Sequence, residues 1–338
     1  MAATQQTRAT PSASRRPRLR RSNCHRPGIT RRGHGTGFSY RGPDGTRVQD
    51  PEELARIRGL AVPPAWKDVW ISPLPNGHIQ ATGVDDAGRR QYIYHPRWRE
   101  LKDREKFDRV LELGDTLPRA RAAVTRLLRS EGATEDKAYA AAFRLMDTAA
   151  LRVGNEEYAQ SNGSYGVTTM LVRHVSVDGD EVHLDFPGKS GHRWTPTLRD
   201  PDLAAALAPM LERDPDEPAL AYRDENGRWA TTTSARLNDF VRDRCGPEFT
   251  AKDVRTWQGT VTAALALAAR ADTRPTGNAR KRAVSAAMRE VAEHLGNTPA
   301  IARGSYVDPR VVDRFLDGET LDATSPSAAE RRLRSFLA

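Results

Sequence analysis

The chain changes character at "DTLP", residues 115–118. Before it, short extended runs alternate with turn signals. After it, the composition shifts to Ala and Arg, and apolar residues recur at three- and four-residue spacing, the period of amphipathic helices. "GFSYRGPDGTRV" reads as a hairpin about Pro-Asp-Gly, "WKDVWISP" and "GHIQATGVDDAGRRQYIYHP" as further strands, and "DPEELARIRGL" as a helix capped by Asp50 with Pro51 in its first turn. "WRELKDREKFDRVLELG" reads as a helix stopped by Gly114. "TEDKAYAAAFRLMDTAALRVG" and segments near 202–213, 233–245, 252–271 and 279–296 read as helices, and "TTMLVRHVSVDGDEVHLDFPGKSGHRWTPT" as a three-stranded meander with Asp178-Gly179 at one turn. The expected class is α+β: a small N-terminal antiparallel sheet domain with helices, then a mostly helical domain carrying a three-stranded sheet. The expected bounds are a tail at 1–34, domains at 35–115 and 116–322, and a C-terminal segment at 323–338.

Charge is as unevenly placed as secondary structure. The chain has 53 basic and 44 acidic side chains, a net charge of +9. Nine arginines within residues 1–34, with no acid and no lysine, account for all of it. The remainder is neutral, so any polyanion must meet a patterned face rather than a globally basic surface. The Arg-, Ser- and Pro-rich tail reads as a disordered arm, either a nonspecific nucleic-acid contact or a solvated leader.

Other classes find little support. Cys24 and Cys245 have neither metal-site nor disulfide-framework spacing, which fits a reducing compartment. "AALALAA" at 263–269, the longest apolar run, is far below the ~20 residues of a membrane span. No secretory signal is visible, although a transit peptide would share the tail's composition. A cytoplasmic protein without a membrane association is expected. Walker-type loops, paired acidic clusters and His-x-x-His or Cys-x-x-Cys spacings are absent, so no cofactor and no metal is expected.

What stands out is a set of cations at structural junctions. Arg152 follows an Ala-rich helix, Arg255 opens a long one, and Lys189 sits in a tight turn of a chain with seven lysines against 46 arginines. Each has a plain alternative: a charge meeting a helix dipole, a surface helix residue, a solvated turn. Tyr306 closes "HLGNTPAIARGSYV", where one helix ends near Gly296 and another starts at Thr298-Pro299. It is either a core aromatic or a nucleophile.

Five segments in order, "GRRQYIYHPRW", "RVGNEEYAQSNGSYG", "FPGKSGH", "KDVRTWQGT" and "LGNTPAIARGSYVDP", resemble the type IB DNA topoisomerases, above all the compact poxvirus-like form of bacteria. The resemblance spans about residues 37–318. It implies a DNA-clamp domain at 35–115 and a catalytic domain at 116–322, a monomer closing around duplex DNA, acting at the nucleoid. It implies that Tyr306 is the nucleophile, Arg152 and Arg255 bind the phosphate, and Lys189 is the general acid. Asn297 stands nine residues before Tyr306, where the viral enzymes have histidine. Arg89, Gln91, Tyr92 and Tyr94 match DNA contacts of the clamp strand, with Tyr92 and Tyr94 on one core-packed face as the alternative. Tyr158 matches a further DNA contact, and Ser161 departs from the expected glutamate. The implied activity is nicking of one strand through a 3′-phosphotyrosyl bond, relaxation and resealing, without metal or ATP. A tyrosine recombinase shares the Arg, Lys, Arg and Tyr set, but Lys252 stands three residues before Arg255, where recombinases commonly have histidine. A non-catalytic DNA-binding protein is the remaining alternative.

Overall fold

Strand-forming runs in the first hundred residues pair into one antiparallel sheet. It contains β1 (Ile29–His34), β2 (Gly37–Arg41), β3 (Lys67–Ile71), β4 (Ile79–Val84) and β5 (Arg90–Tyr94), in the order β2-β1-β3-β4-β5. Helix α1 (Pro51–Gly59) lies between β2 and β3 in sequence, and the Asp50 carboxylate accepts its Glu52 N–H at 3.0 Å. Ile29, Ile57, Val69, Ile71 and Ala81 form this unit's buried core. The computed structural model describes residues 18–35, 37–191, 193–271 and 276–338. The chain divides between Lys106 and Phe107 into two units.

Two expectations change here. An unstructured tail does not extend to residue 34, because β1 pairs with both β2 and β3. Ile29 buries in the core, and the Arg31 guanidinium donates to the carbonyls of Val62, Pro63 and Trp66, the last at 2.6 Å. Counting arginines could not reveal that one of them staples a loop. Residues 1–17 of the expected arm lie outside the described residues. The hairpin expected within 37–48 is present but short: Arg41 bridges Arg47, and the Gly42 and Val48 N–H groups donate to the Thr46 and Tyr40 carbonyls at 2.8 and 3.0 Å, while β2 also pairs with β1.

The second change is α2 (Pro96–Leu128), one helix of 33 residues through both Gly114 and Pro118. Gly114 does not stop it. A Cβ there would lie 2.3 Å from the Trp257 ring, so the glycine makes room for an indole. The division at 106/107 therefore falls inside a helix rather than at residue 115.

The second unit continues with α3 (Glu135–Ala149) and α4 (Glu156–Asn162). Five short strands follow: β6 (Val175–Asp178), β7 (Glu181–Leu184), β8 (Phe186–Pro187), β9 (Arg193–Trp194) and β10 (Thr197–Arg199). The three-stranded sheet is β10-β7-β6, with Gly179 at φ +56° in the β6–β7 turn. Its second connection is longer than a tight turn: β8 and β9 pair separately, and Lys189 lies between them. After these come α5 (Pro201–Leu207), β11 (Ala221–Arg223), β12 (Trp229–Thr231), α6 (Ser234–Cys245), α7 (Ala251–Ala268), α8 (Gly277–Leu295), α9 (Pro299–Ser305), α10 (Pro309–Asp317) and α11 (Pro326–Leu337). The C-terminal segment is therefore helical, and Ala329, Leu333 and Leu337 at four-residue spacing join the core of this unit. No helix among the described residues is long and apolar enough to cross a membrane.

Candidate active site

Three helix ends converge in the second unit, each shaped by its local sequence. Helix α7 opens with a capping box in which the Asp253 carboxylate accepts the Thr250 N–H and hydroxyl at 3.0 and 2.7 Å. One turn in, Arg255 is only 3% exposed. Helix α8 stops at Gly296, whose φ of +56° is the left-handed cap glycine adopts easily. That cap leaves the Leu295 carbonyl free of the helix ladder, and it accepts from Arg255 Nη2 at 2.7 Å. Helix α9 is capped by Thr298, begins at Pro299 and ends at Tyr306.

Tyr306 is 9% exposed and sits against α7 because residue 259 is glycine. A Cβ on Gly259 would be 2.6 Å from the Tyr306 carbonyl oxygen. The Thr260 hydroxyl donates to that same carbonyl at 3.3 Å. Arg152 arrives from α3 through Ala150, at φ +50°, and its carbonyl accepts the Val167 N–H at 2.8 Å. Its Nη2 donates to the Gly296 carbonyl at 3.3 Å and to Asn297 Oδ1. The helix-dipole alternative for Arg152 thus gives way to a contact with the α8–α9 junction.

Arg152, Lys189, Lys252, Arg255 and Tyr306 line one cavity of about 640 Å³. Among the described residues its walls carry four cations and no carboxylate. The Arg255 guanidinium lies against the Tyr306 ring, its Cζ 5.5 Å from the ring centroid. Several buried donors here have no partner among the described residues: Arg255 Nε and Nη1, Arg152 Nε and Asn297 Nδ2. An unpaired buried donor costs ~1–3 kcal/mol, so a cluster of them suits an anion that accepts from all.

The electrostatics follow from burial and these cations. Burial alone would raise the Tyr306 phenol, but Arg255, Arg152 and Lys252 favour the phenolate and hold it below the usual tyrosine value. Burial, then repulsion from Arg152, lowers Arg255 to about 10, with Tyr306 opposing.

Tyr306, Arg152, Arg255, Lys189 and Asn297, singled out in the sequence, are thus brought to one place. Lys252 enters the sequence reading only as a contrast with recombinases. Its three-residue spacing from Arg255 on one helix was the available signal. Arg89, Gln91, Tyr92 and Tyr94 lie in the first unit. Arg89 Nε and Gln91 Nε2 both donate to Asp85 Oδ2, at 3.0 and 2.8 Å. Tyr92 and Tyr94 are 43% and 38% exposed and stack with centroids 6.0 Å apart. Their core-packing alternative is therefore set aside. Tyr158 belongs to α4, and its side chain lies outside those described. The Ser161 hydroxyl donates to the Glu157 carbonyl at 2.6 Å, a bond within its own helix.

The family model for the catalytic core of eukaryotic DNA topoisomerase I matches residues 95–315. The chain belongs to the type IB DNA topoisomerase family. The model for the N-terminal domain of bacterial DNA topoisomerase IB matches residues 37–85 of this type IB chain. A DNA topoisomerase 1B of Acanthamoeba polyphaga mimivirus is 29% identical over 286 residues, 83% of this chain and 85% of the relative. The DNA topoisomerase 1B of vaccinia virus is 23% identical over 259 residues, 74% of this chain and 77% of the relative.

Proposed function

We propose that this type IB chain relaxes supercoiled duplex DNA by cutting and resealing one strand, with Tyr306 as the nucleophile. The observation that carries it is the buried Tyr306, beside the Arg255 guanidinium in a cavity walled by four cations. Tyr306 Oη attacks the phosphorus of a phosphodiester after its proton passes to solvent. The bond from phosphorus to O5′ breaks as the tyrosyl bond forms, leaving a 3′-phosphotyrosyl linkage and a free 5′ hydroxyl. Arg152 and Arg255 hold the non-bridging oxygens through donors that lack protein partners, and offset the charge that grows as phosphorus becomes five-coordinate. Lys189, exposed at the β8–β9 connection and on the cavity wall, gives the proton that O5′ needs.

Asn297 holds Arg152 through Oδ1 and keeps Nδ2 for a phosphate oxygen. It supplies a donor without charge. The phosphotyrosyl ester conserves the energy of the broken bond, so attack by the 5′ hydroxyl reseals the strand without ATP. The guanidinium charges take the place of a metal. In this reading the first unit is the DNA-clamp domain, the exposed Tyr92 and Tyr94 meet DNA, and the protein works as a monomer on the DNA of its cell.

The test is relaxation of a negatively supercoiled plasmid in EDTA without ATP. Wild type is expected to relax it and Tyr306→Phe to leave it supercoiled. Relaxation by Tyr306→Phe, or none by wild type, would sink the proposal and return attention to a site-specific recombinase or a binding protein.

A further inference from the structure

One partly buried ion network touches both elements that deliver the phosphate arginines, yet lies outside their cavity. Its centre is Arg121 of α2. Nε and Nη2 donate to the two Asp147 oxygens at 2.6 and 2.9 Å. Nη1 and Nη2 donate to the two Glu330 oxygens at 2.6 and 2.8 Å. Asp147 belongs to α3, the helix that leads into Arg152. Glu330 belongs to α11, and its Oε1 also accepts the Trp257 indole N–H at 3.1 Å. Trp257 follows Arg255 by two residues, ~200° around α7, and so anchors the face of that helix away from the arginine. Its ring fills the space that Gly114 leaves open.

One planar guanidinium therefore grips the helix before Arg152 on one edge and, through Glu330 and Trp257, the helix of Arg255 on the other. The Asp147, Glu330 and Arg121 side chains are 4%, 21% and 31% exposed. Buried ion networks of this kind add little net stability over apolar side chains, because desolvation offsets attraction. What they fix is geometry, and the two-edged fork of arginine fixes it better than any other cation.

We propose that Arg121, Asp147 and Glu330 form a positioning fork that sets the placement of Arg152 and Arg255 about Tyr306. This rests on the reading of Tyr306 as nucleophile, but its first test needs no DNA. In the full chain labelled with ¹³C-tyrosine, the Tyr306 resonance is assigned by its loss in Tyr306→Phe and titrated with pH. Arg121→Lys keeps the charge and loses the fork. Glu330→Gln keeps an acceptor for Trp257 and loses a charge. Both are expected to raise the Tyr306 midpoint towards the ordinary phenol value, as Arg255 drifts from the ring. The sign discriminates: removing the Glu330 charge by field alone would lower that midpoint.

DNA cleavage in one turnover is expected to slow by about tenfold to a hundredfold, with DNA affinity within about twofold, as misplaced catalytic groups do. Should a single variant fail to fold, the joint replacement Arg121→Met, Asp147→Leu and Glu330→Leu removes all buried charges together and is expected to give the same rise. An unshifted or lowered Tyr306 midpoint in folded variants would overturn the fork. Absence of cleavage by wild type would instead overturn the nucleophile reading, while the titration would still decide the fork.

Discussion

At the scale of residues, Tyr306 is where opposing forces are balanced. Burial disfavours its phenolate, and Arg255, Arg152 and Lys252 together favour it more. The cleavage rate should therefore rise with pH through a midpoint below the ~10 of a free phenol. Arg255→Gln removes the largest favourable charge and leaves burial in command, so the midpoint should move up. The rate at neutral pH should fall by about 10² to 10⁴, the range for lost charge-stabilising or proton-donating groups. Single-turnover cleavage across pH measures both, and an unmoved midpoint would mean Arg255 does not set Tyr306's ionisation. Gly259 gives a second test. In Gly259→Ala the new Cβ would sit 2.6 Å from the Tyr306 carbonyl oxygen, so Tyr306 must shift. Cleavage should drop by about tenfold or more, while DNA binding persists. A wild-type rate in that variant would show that Tyr306 tolerates displacement. The five residues singled out in sequence were legible because each lies in a motif whose order along the chain is itself information. The partners of Arg121 were not, since positions 121, 147 and 330 are joined only by packing.

At the scale of elements, local signals located most helices and failed where tertiary packing overruled them. Thr298-Pro299 and Gly296 mark the α8–α9 junction correctly because caps satisfy backbone groups locally. Gly114 looks like a stop because the reason for it lies far along the chain, in the Trp257 ring. Gly114→Ala should therefore destabilise the protein by about 1–3 kcal/mol despite the better helix propensity of alanine, as overpacking does. Chemical denaturation measures it, and a stabilised variant would contradict the packing account. Helix α8 carries a pH dependence. Burial, then the charge of Arg255, holds His294 below the usual imidazole value. The unfolded chain thus binds a proton below pH ~6.5 that the folded chain refuses, and stability falls as pH drops below that point. His294→Gln should make that fall shallower in melts between pH ~7 and ~5. An unchanged slope would show that His294 titrates alike in both states.

At the scale of the whole molecule, charge is segregated along the chain, and the structure reassigns part of it. Of the nine N-terminal arginines, those from Arg18 onward precede or belong to β1 and its approach, and Arg31 is spent on loop carbonyls. Composition shows one basic arm where the fold uses two kinds of arginine. Deleting residues 1–17 should leave the five-stranded sheet intact. It should also reduce the slope of log affinity for DNA against log salt by up to ~0.9 for each phosphate that the arm neutralises. Deleting 1–34 removes β1 and Ile29, and should unfold the first unit, seen as rapid proteolysis of residues before Lys106. Equal behaviour of the two truncations would contradict the role given to β1. If Tyr306 is the nucleophile, its covalent bond to DNA can be captured. A nicked-substrate trap with duplex DNA, followed by trypsin and mass spectrometry, should place a 3′-phosphonucleotide on "GSYVDPR", residues 304–310, at Tyr306. A nucleotide on any other residue, or active relaxation without any adduct, would contradict it.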